Sequence, residues 1–255
     1  MPVIFTSSAS ESERLERQAR LYGGLDFLRP SLARGPARIL EVGCGTGCFA
    51  RAVARSLPNA QVVGLERDEE RLALARRLGA ESEASNVRFE AGDLVALPFD
   101  AGGFDLVFAR FVLVHMPDPL DALSEMARVA RPGGEVLALD MVHSGVWFSP
   151  PKLAFAALLG RIIEVMRQRG LEPDQGLHLL GAMQRAGLED VQAEVQTHHL
   201  RHPSAEFELY RANWLETVAG INTILASDLE ERAVGAALGE LQAVDAHESL
   251  LEITV

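Results

Sequence analysis

Between residues 38 and 140 the chain repeats one pattern: an apolar run of strand length, a turn, then apolar positions recurring every three or four residues. Ile39, Leu40 and Val42 read as a buried first strand, and Phe49, Ala50, Val53, Ala54 and Leu57 follow with helical period. Gln61 to Leu65 predicts strand two, and Leu72, Ala75 and Leu78 mark the inner face of a helix from about Asp68 that stops at Gly79. Val87 to Ala91 reads as strand three, and Phe104 to Ala109 as strand four, after the turn at 100–103. Asp118-Pro119 caps a helix with Leu120, Leu123, Ala127 and Ala130 on one face; Arg131-Pro132-Gly133-Gly134 ends it ahead of strand five, Glu135 to Leu139. Strands alternating with amphipathic helices imply right-handed crossovers and a doubly wound α/β fold around a mostly parallel sheet.

The flanks read differently. Residues 1–10 look frayed, a helical pattern runs from Ser12 through Leu15 and Ala19 to Leu21, and a short helical piece spans Leu25 to Leu32 before the turn Arg34-Gly35-Pro36. After Asp140, Trp147-Phe148-Ser149-Pro150-Pro151 leads into a helix reaching about Arg169, and another runs from Leu177 to Gly187. A strand is expected at Val191 to Val195, two helices within 204–248 broken at Ser227-Asp228, and a last strand at Leu250 to Val255.

Composition narrows the function. With 255 residues and 48% hydrophobic content the chain can fill one large core with an elaboration. A net charge of −12 argues against an extended phosphate-binding surface, so nucleic acid is a poor substrate. No apolar run approaches the roughly 18 residues of a membrane span, and the N-terminus lacks a basic-then-apolar signal, so a soluble cytoplasmic protein without a membrane partner is expected. The cysteines, Cys44 and Cys48, lie in a glycine stretch without a second ligand pair, which favours packing over redox or metal chemistry; no metal is expected.

That stretch carries the chemistry. Gly43, Gly45 and Gly47 sit where strand one turns into a helix, allowing close backbone approach to a ligand. In an open parallel sheet, ligands bind beyond the carboxyl ends of the strands, where Glu41, Glu66, Asp93 and Arg110 fall. A carboxylate ending strand two suits the two hydroxyls of a ribose. A dinucleotide fold wants Gly-x-Gly-x-x-Gly, but here the sixth position is Cys48 and the spacing is Gly-x-Gly-x-Gly, two residues after Glu41.

This arrangement resembles motif one of the class I S-adenosylmethionine-dependent methyltransferases. Glu66, Gly92-Asp93-Leu94 with Leu97-Pro98-Phe99, Phe104-Asp105-Leu106-Val107 and Arg128 to Gly134 continue the likeness in order, most closely to small-molecule methyltransferases of the ubiquinone/menaquinone-biosynthesis type. The resemblance implies a Rossmann-like, mostly parallel seven-stranded sheet with an antiparallel last strand. It implies N-terminal helices over the cofactor (1–35), a core (36–200 and 249–255) and a helical insertion forming a lid (201–248). S-adenosylmethionine is the implied cofactor: Gly43, Gly45 and Gly47 around its methionine portion, Glu41 near the ammonium, Glu66 and the neighbouring Arg67 at the ribose, Asp93 and Leu94 at the adenine, and Arg110 as a cofactor or substrate contact.

The implied partner is a small organic methyl acceptor. His143, just past strand five, is the preferred general base or substrate orienter, while His115 sits in apolar sequence that suits packing. Trp147, Phe148, Tyr210 and Trp214 are candidates for an apolar acceptor pocket; His198, His199 and His202 look like a metal cluster but lack a partner. Two other readings stay open: a binding module that keeps the cofactor without transfer, and a nicotinamide-dependent oxidoreductase.

Overall fold

The computed structural model describes residues 14, 16–18, 21, 24–225, 231–243 and 246–254. Within the alternating region the described elements are a short helix α1 (Arg29–Ala33), then β1 (Arg38–Val42), α2 (Cys48–Ser56), β2 (Gln61–Glu66), α3 (Glu69–Ala80), β3 (Val87–Ala91), β4 (Phe104–Arg110), α4 (Leu120–Val129) and β5 (Ala130–Leu139). The strands form one parallel sheet in the order β3-β2-β1-β4-β5, so the winding reverses between β1 and β4. That reversal opens a crevice at the carboxyl ends of these two strands. The two faces of the sheet are buried by separate apolar clusters, one centred on Leu40, Val107 and Met126, the other on Ile39, Val53 and Phe108.

Local chemistry accounts for the boundaries. Asp68 caps α3, its side chain accepting from the Arg71 N–H at 2.9 Å, and the helix runs one residue past Gly79. Gly79 is required less as a stop than as space, since a Cβ there would lie 2.7 Å from the Phe89 ring. β5 begins five residues earlier than expected, at Ala130, because residues 131–134 form an irregularity against β4.

The chain beyond residue 140 departs from the expected architecture. Its elements are β6 (Trp147–Ser149), α5 (Leu153–Gln168), α6 (Leu179–Arg185), β7 (Gln196–Arg201), α7 (Ala205–Leu225), α8 (Glu231–Gln242) and β8 (Ser249–Thr254). The last strand does not extend a seven-stranded sheet: β8 sits between β6 and β7 in a separate antiparallel sheet of three strands. β7 alternates between more and less buried positions, which suits an antiparallel sheet with one solvated face better than a parallel strand covered on both sides. It also lies C-terminal to the expected Val191–Val195, which has no regular structure. The break expected at Ser227-Asp228, Leu15 and Ala19 of the leader, and Val255 lie outside the described residues. A third apolar cluster, built from α5, α7, α8 and β8 around Phe155, Phe207, Tyr210 and Val218, supports this half. Among the described residues no helix is long and apolar enough to cross a membrane.

Candidate active site

At the β1/β4 crevice lies a cavity of about 420 Å³. Its floor is the turn after β1. The Cys44 N–H donates to the Leu65 carbonyl at 2.9 Å and the Gly47 N–H to the Cys44 carbonyl at 2.8 Å, so the turn is tied to β2 and closed on itself. Gly43, Gly45 and Gly47 all have positive φ, +67°, +56° and +74°, which an L side chain adopts only with strain. A Cβ on Gly43 would lie 2.7 Å from Val112, in the loop after β4, so glycine also lets the two loops meet. Gly47 differs from expectation: it is not among the cavity-lining residues, and a Cβ there would meet the Phe89 ring at 2.3 Å. It is needed behind the site, for packing of α2 on the sheet.

Glu66, at the end of β2, holds this turn. One carboxylate oxygen accepts from the Gly45 N–H and the other from the N–H groups of Arg67 and Asp68, each at 2.9 Å. Three of its roughly four acceptor sites are thus taken by backbone. Glu41 is the opposite case. It is buried, its Oε2 has no hydrogen-bond partner among the described residues, and burial pushes its carboxyl up to about 8 despite the Ala50 N–H and the charges of Arg110 and Arg51. A carboxyl left neutral and half-satisfied in a cavity wall is a place for a cationic donor.

Arg110 stacks its guanidinium 4.2 Å from the Phe49 ring centroid and 4.4 Å from that of Phe111, and donates to the Gln18 and Leu21 carbonyls. The leader is fastened to the turn a second time. Arg51 reaches both oxygens of Glu16 at 2.8 Å and the Thr46 carbonyl at 2.6 Å, and the Thr46 hydroxyl donates to Glu16. Burial raises the Glu16 carboxyl, but Thr46 and Arg51 outweigh it and hold it below its ordinary value. Arg14 donates to Asn213 and Arg17 pairs with Glu216, joining the leader to α7 across the cavity. Replacing Arg51 with methionine is expected to raise amide hydrogen exchange at residues 16–18 and 21 by tenfold or more; unchanged exchange would remove the Glu16 clasp as the leader's anchor.

Asp93 and Leu94, after β3, and Arg67 line the same cavity, as do His143 and Trp214. Three expected pocket residues, Trp147, Phe148 and Tyr210, do not, and Phe148 packs in the third apolar cluster. Trp147 is 52% exposed because the two-residue period of β6 turns Phe148 inward and Trp147 out. Tyr210 is buried in the third apolar cluster, its ring 5.5 Å from that of His198. The histidine cluster does not converge: His198 packs on Tyr210, His202 contacts Glu208 at 3.2 Å and His199 is exposed, and among the described residues no three His, Cys, Asp or Glu could hold a metal ion. Cys44 and Cys48 are free thiols, their pKa values raised by burial, that of Cys48 to about 12.

Sequence reasoning missed most of the wall opposite the glycine turn. Leu159, Ile162 and Met166 of α5, at spacings of three and four, share one helical face and were findable from that periodicity. Met141 and the buried Asp140 were not. Asp140 accepts from the Val114 and Met141 N–H groups at 2.9 and 3.0 Å, pinning the loop that carries His115 to the one that carries His143, and burial raises its carboxyl to about 7.

Residues 39–134 match a family model described as a methyltransferase domain. A demethylmenaquinone methyltransferase of Thermus thermophilus is 38% identical over 141 residues, 55% of this chain and 59% of that protein. A methyltransferase of Strobilurus tenacellus is 31% identical over 193 residues, 72% of this chain and 65% of its own. The chain spans about half the length of the curated relatives it matches, 42–59% for four demethylmenaquinone methyltransferases. A solved phosphoethanolamine N-methyltransferase of Haemonchus contortus shares the fold, with a TM-score of 0.53 at 17% identity over 97% of this chain and 60% of that one.

Proposed function

We propose that the chain, whose residues 39–134 match a methyltransferase domain, is a class I S-adenosylmethionine-dependent methyltransferase that moves a methyl group from S-adenosylmethionine to a small organic acceptor bound in the same cavity. The observation that carries this reading is Glu41: a buried carboxyl with an unsatisfied oxygen, in a cavity that Gly43 and Gly45 of the turn also line. The zwitterionic methionine end of the cofactor supplies the complement. Its ammonium pairs with Glu41, its carboxylate lies toward Arg110, and Gly43 and Gly45 leave room for its chain. Glu66 pins the turn and offers its remaining lone pair to the ribose, with Arg67 alongside; Asp93 and Leu94 frame the adenine. The bound sulfonium supplies an electrophilic methyl group, and the protein contributes alignment and exclusion of water. The leader up to residue 35 and the helices of 201–248 act as cap and lid, a reading supported by the contacts of Arg14 with Asn213 and Arg17 with Glu216. His143 orients or deprotonates the acceptor, and Trp214 lines its pocket.

Calorimetric titration with S-adenosylhomocysteine and with NAD tests the reading: the first is expected to bind, and NAD binding in its place would reject it. Glu41 adds a pH signature. A cation beside it lowers a pKa that stands at about 8 in the ligand-free protein, so binding releases a proton below pH 8 and tightens as pH rises from 6 to 7.5. In the ligand-free protein the sign reverses. The unfolded chain ionises Glu41 near 4.5 and the folded chain only near 8, so the folded state holds the extra proton and stability falls as pH rises through that window. Glu41→Gln is therefore expected to stabilise the ligand-free protein at pH 8, weaken S-adenosylhomocysteine binding tenfold or more, and abolish proton release, read as buffer-dependent heats. Persistent proton release in the variant would move the ammonium site elsewhere.

A further inference from the structure

The leader and α7 meet along one edge of the cavity in matched steps. Arg14 donates to the Asn213 Oδ1 at 3.3 Å, and three residues further along both segments Arg17 pairs with Glu216. Arg14 and Asn213 are only 5% and 7% exposed, and both line the cavity. An arginine side chain donates and never accepts, so the amide atom turned toward Arg14 is the oxygen and the NH2 group occupies the other branch. That nitrogen has no hydrogen-bond partner among the described residues, yet it is not one of the atoms sealed from open space. The open space that Asn213 borders is the cavity.

A donor in so buried a wall costs stability until an oxygen meets it. One turn along α7, Thr217 also lines the cavity, but its hydroxyl hydrogen goes to the Asn213 carbonyl at 2.8 Å, so it adds no second donor. Leu159, Ile162 and Met166, on the α5 wall, offer the amide nothing better than a thioether. The guanidinium sharpens the donor: Arg14 N–H to amide oxygen and amide N–H to cavity run in one direction, and each bond in such a chain polarises the next. The charge of Arg14 is felt at His115, after burial, His143 and Arg71, which places the arginine at the end of the cavity that holds the two imidazoles. Asp174, whose carboxylate acts on His143, is not among the cavity-lining residues; it accepts from the Ser144 N–H and pairs with Arg167.

We propose that Asn213 is a specificity-determining residue, its Nδ2 donating to a carbonyl oxygen that the acceptor carries apart from the atom to be methylated. This rests on the methyl-transfer reading above and adds a feature of the acceptor together with the side chain that reads it. The acceptor is then a small apolar molecule bearing a ketone, ester or amide carbonyl, with its body against Leu159, Ile162 and Met166. Asn213 moves no proton; it fixes which way round the acceptor lies. A molecule of the same shape without that oxygen leaves the amide unpaired in a buried wall, so discrimination comes from the unmet donor as much as from the bond made.

The test uses the full chain saturated with S-adenosylhomocysteine, titrated by calorimetry with two probes of one shape, chroman-4-one and chromane. The ketone is expected to bind tighter by about fivefold or more. Asn213→Asp keeps an oxygen for Arg14 but has no N–H, whereas Asn213→Leu removes both. Each variant is expected to bring the two probes to within about twofold of one another while S-adenosylhomocysteine affinity stays within about twofold of wild type, which also reports that it folds. A margin that survives in either variant overturns the proposal; survival in Asn213→Asp alone would make Asn213 only the holder of Arg14. Equal affinities in the wild type, no binding of chroman-4-one, or loss of S-adenosylhomocysteine binding in both variants overturns it too, and where one variant alone loses that binding the other decides. Failure of the wild-type chain to bind S-adenosylhomocysteine is a different result and strikes at the methyl-transfer reading.

Discussion

Glu66→Gln is expected to cost about 1.5–3 kcal/mol of folding stability and to weaken S-adenosylhomocysteine binding by roughly ten- to a hundredfold. The carboxylate accepts three backbone N–H groups, from Gly45, Arg67 and Asp68, and is almost fully buried. A carboxamide has one oxygen, so whichever way it turns, an NH2 group faces a backbone donor. With nitrogen toward Gly45 the glycine turn loses its side-chain tie to β2 and keeps the backbone one from Cys44; with nitrogen the other way, both bonds at the start of the β2–α3 loop go. Buried donors left unmatched incur their full desolvation cost. Urea denaturation reads the first effect and calorimetry the second. A loss of stability with affinity unchanged would make Glu66 a purely structural pin; both unchanged would contradict the three hydrogen bonds.

Gly47→Ala is expected to destabilise the protein by about 3–5 kcal/mol, the upper end for a point substitution. Two penalties add. The φ of +74° costs an L residue about 1–2 kcal/mol, and the new Cβ would stand 2.3 Å from a Phe89 ring atom, inside any tolerable contact. A second change separates them: Phe89→Leu in the Gly47→Ala background is expected to recover the steric part and leave the backbone part. Thermal or urea unfolding of the two singles and the double gives the coupling directly. Additivity of the two substitutions would show that Phe89 is not what excludes a side chain at 47.

Legibility followed the kind of signal each residue carries. β1 to β4 and α2 to α4 could be read to within a few residues because a parallel sheet buried on both faces leaves continuous apolar runs, as in Ile39-Leu40 and Leu106-Val107-Phe108. Strand-end polar residues such as Glu66 and Asp93 were legible because topology alone fixes where strand ends gather. Of the four aromatic pocket candidates only Trp214 lines the cavity, because residue type carries no direction. Trp147 and Phe148 are neighbours in sequence and opposite in orientation, and Tyr210 sits one helical turn from Trp214 yet outside the cavity wall. β7 was not legible because Val191-Gln192-Ala193-Glu194-Val195 alternates like a strand, whereas Gln196-Thr197-His198-His199-Leu200-Arg201 is mostly polar and is held by pairing with β8, a partner about fifty residues away. Gly47 was read as a ligand contact because a motif records spacing, while its reason for being glycine lies in Phe89, more than forty residues on.

The three apolar clusters have a consequence for how this protein tolerates change. The glycine turn, Glu41 and Glu66 rest on the clusters flanking the five-stranded sheet, whereas Val114, Met141, Leu159, Ile162 and Trp214 belong to the cluster under the three-stranded sheet. On the proposed reading, cofactor grip and acceptor choice rest on separate foundations, and substitutions at Leu159, Ile162 and Met166 are expected to change acceptor choice while leaving S-adenosylhomocysteine affinity unaltered.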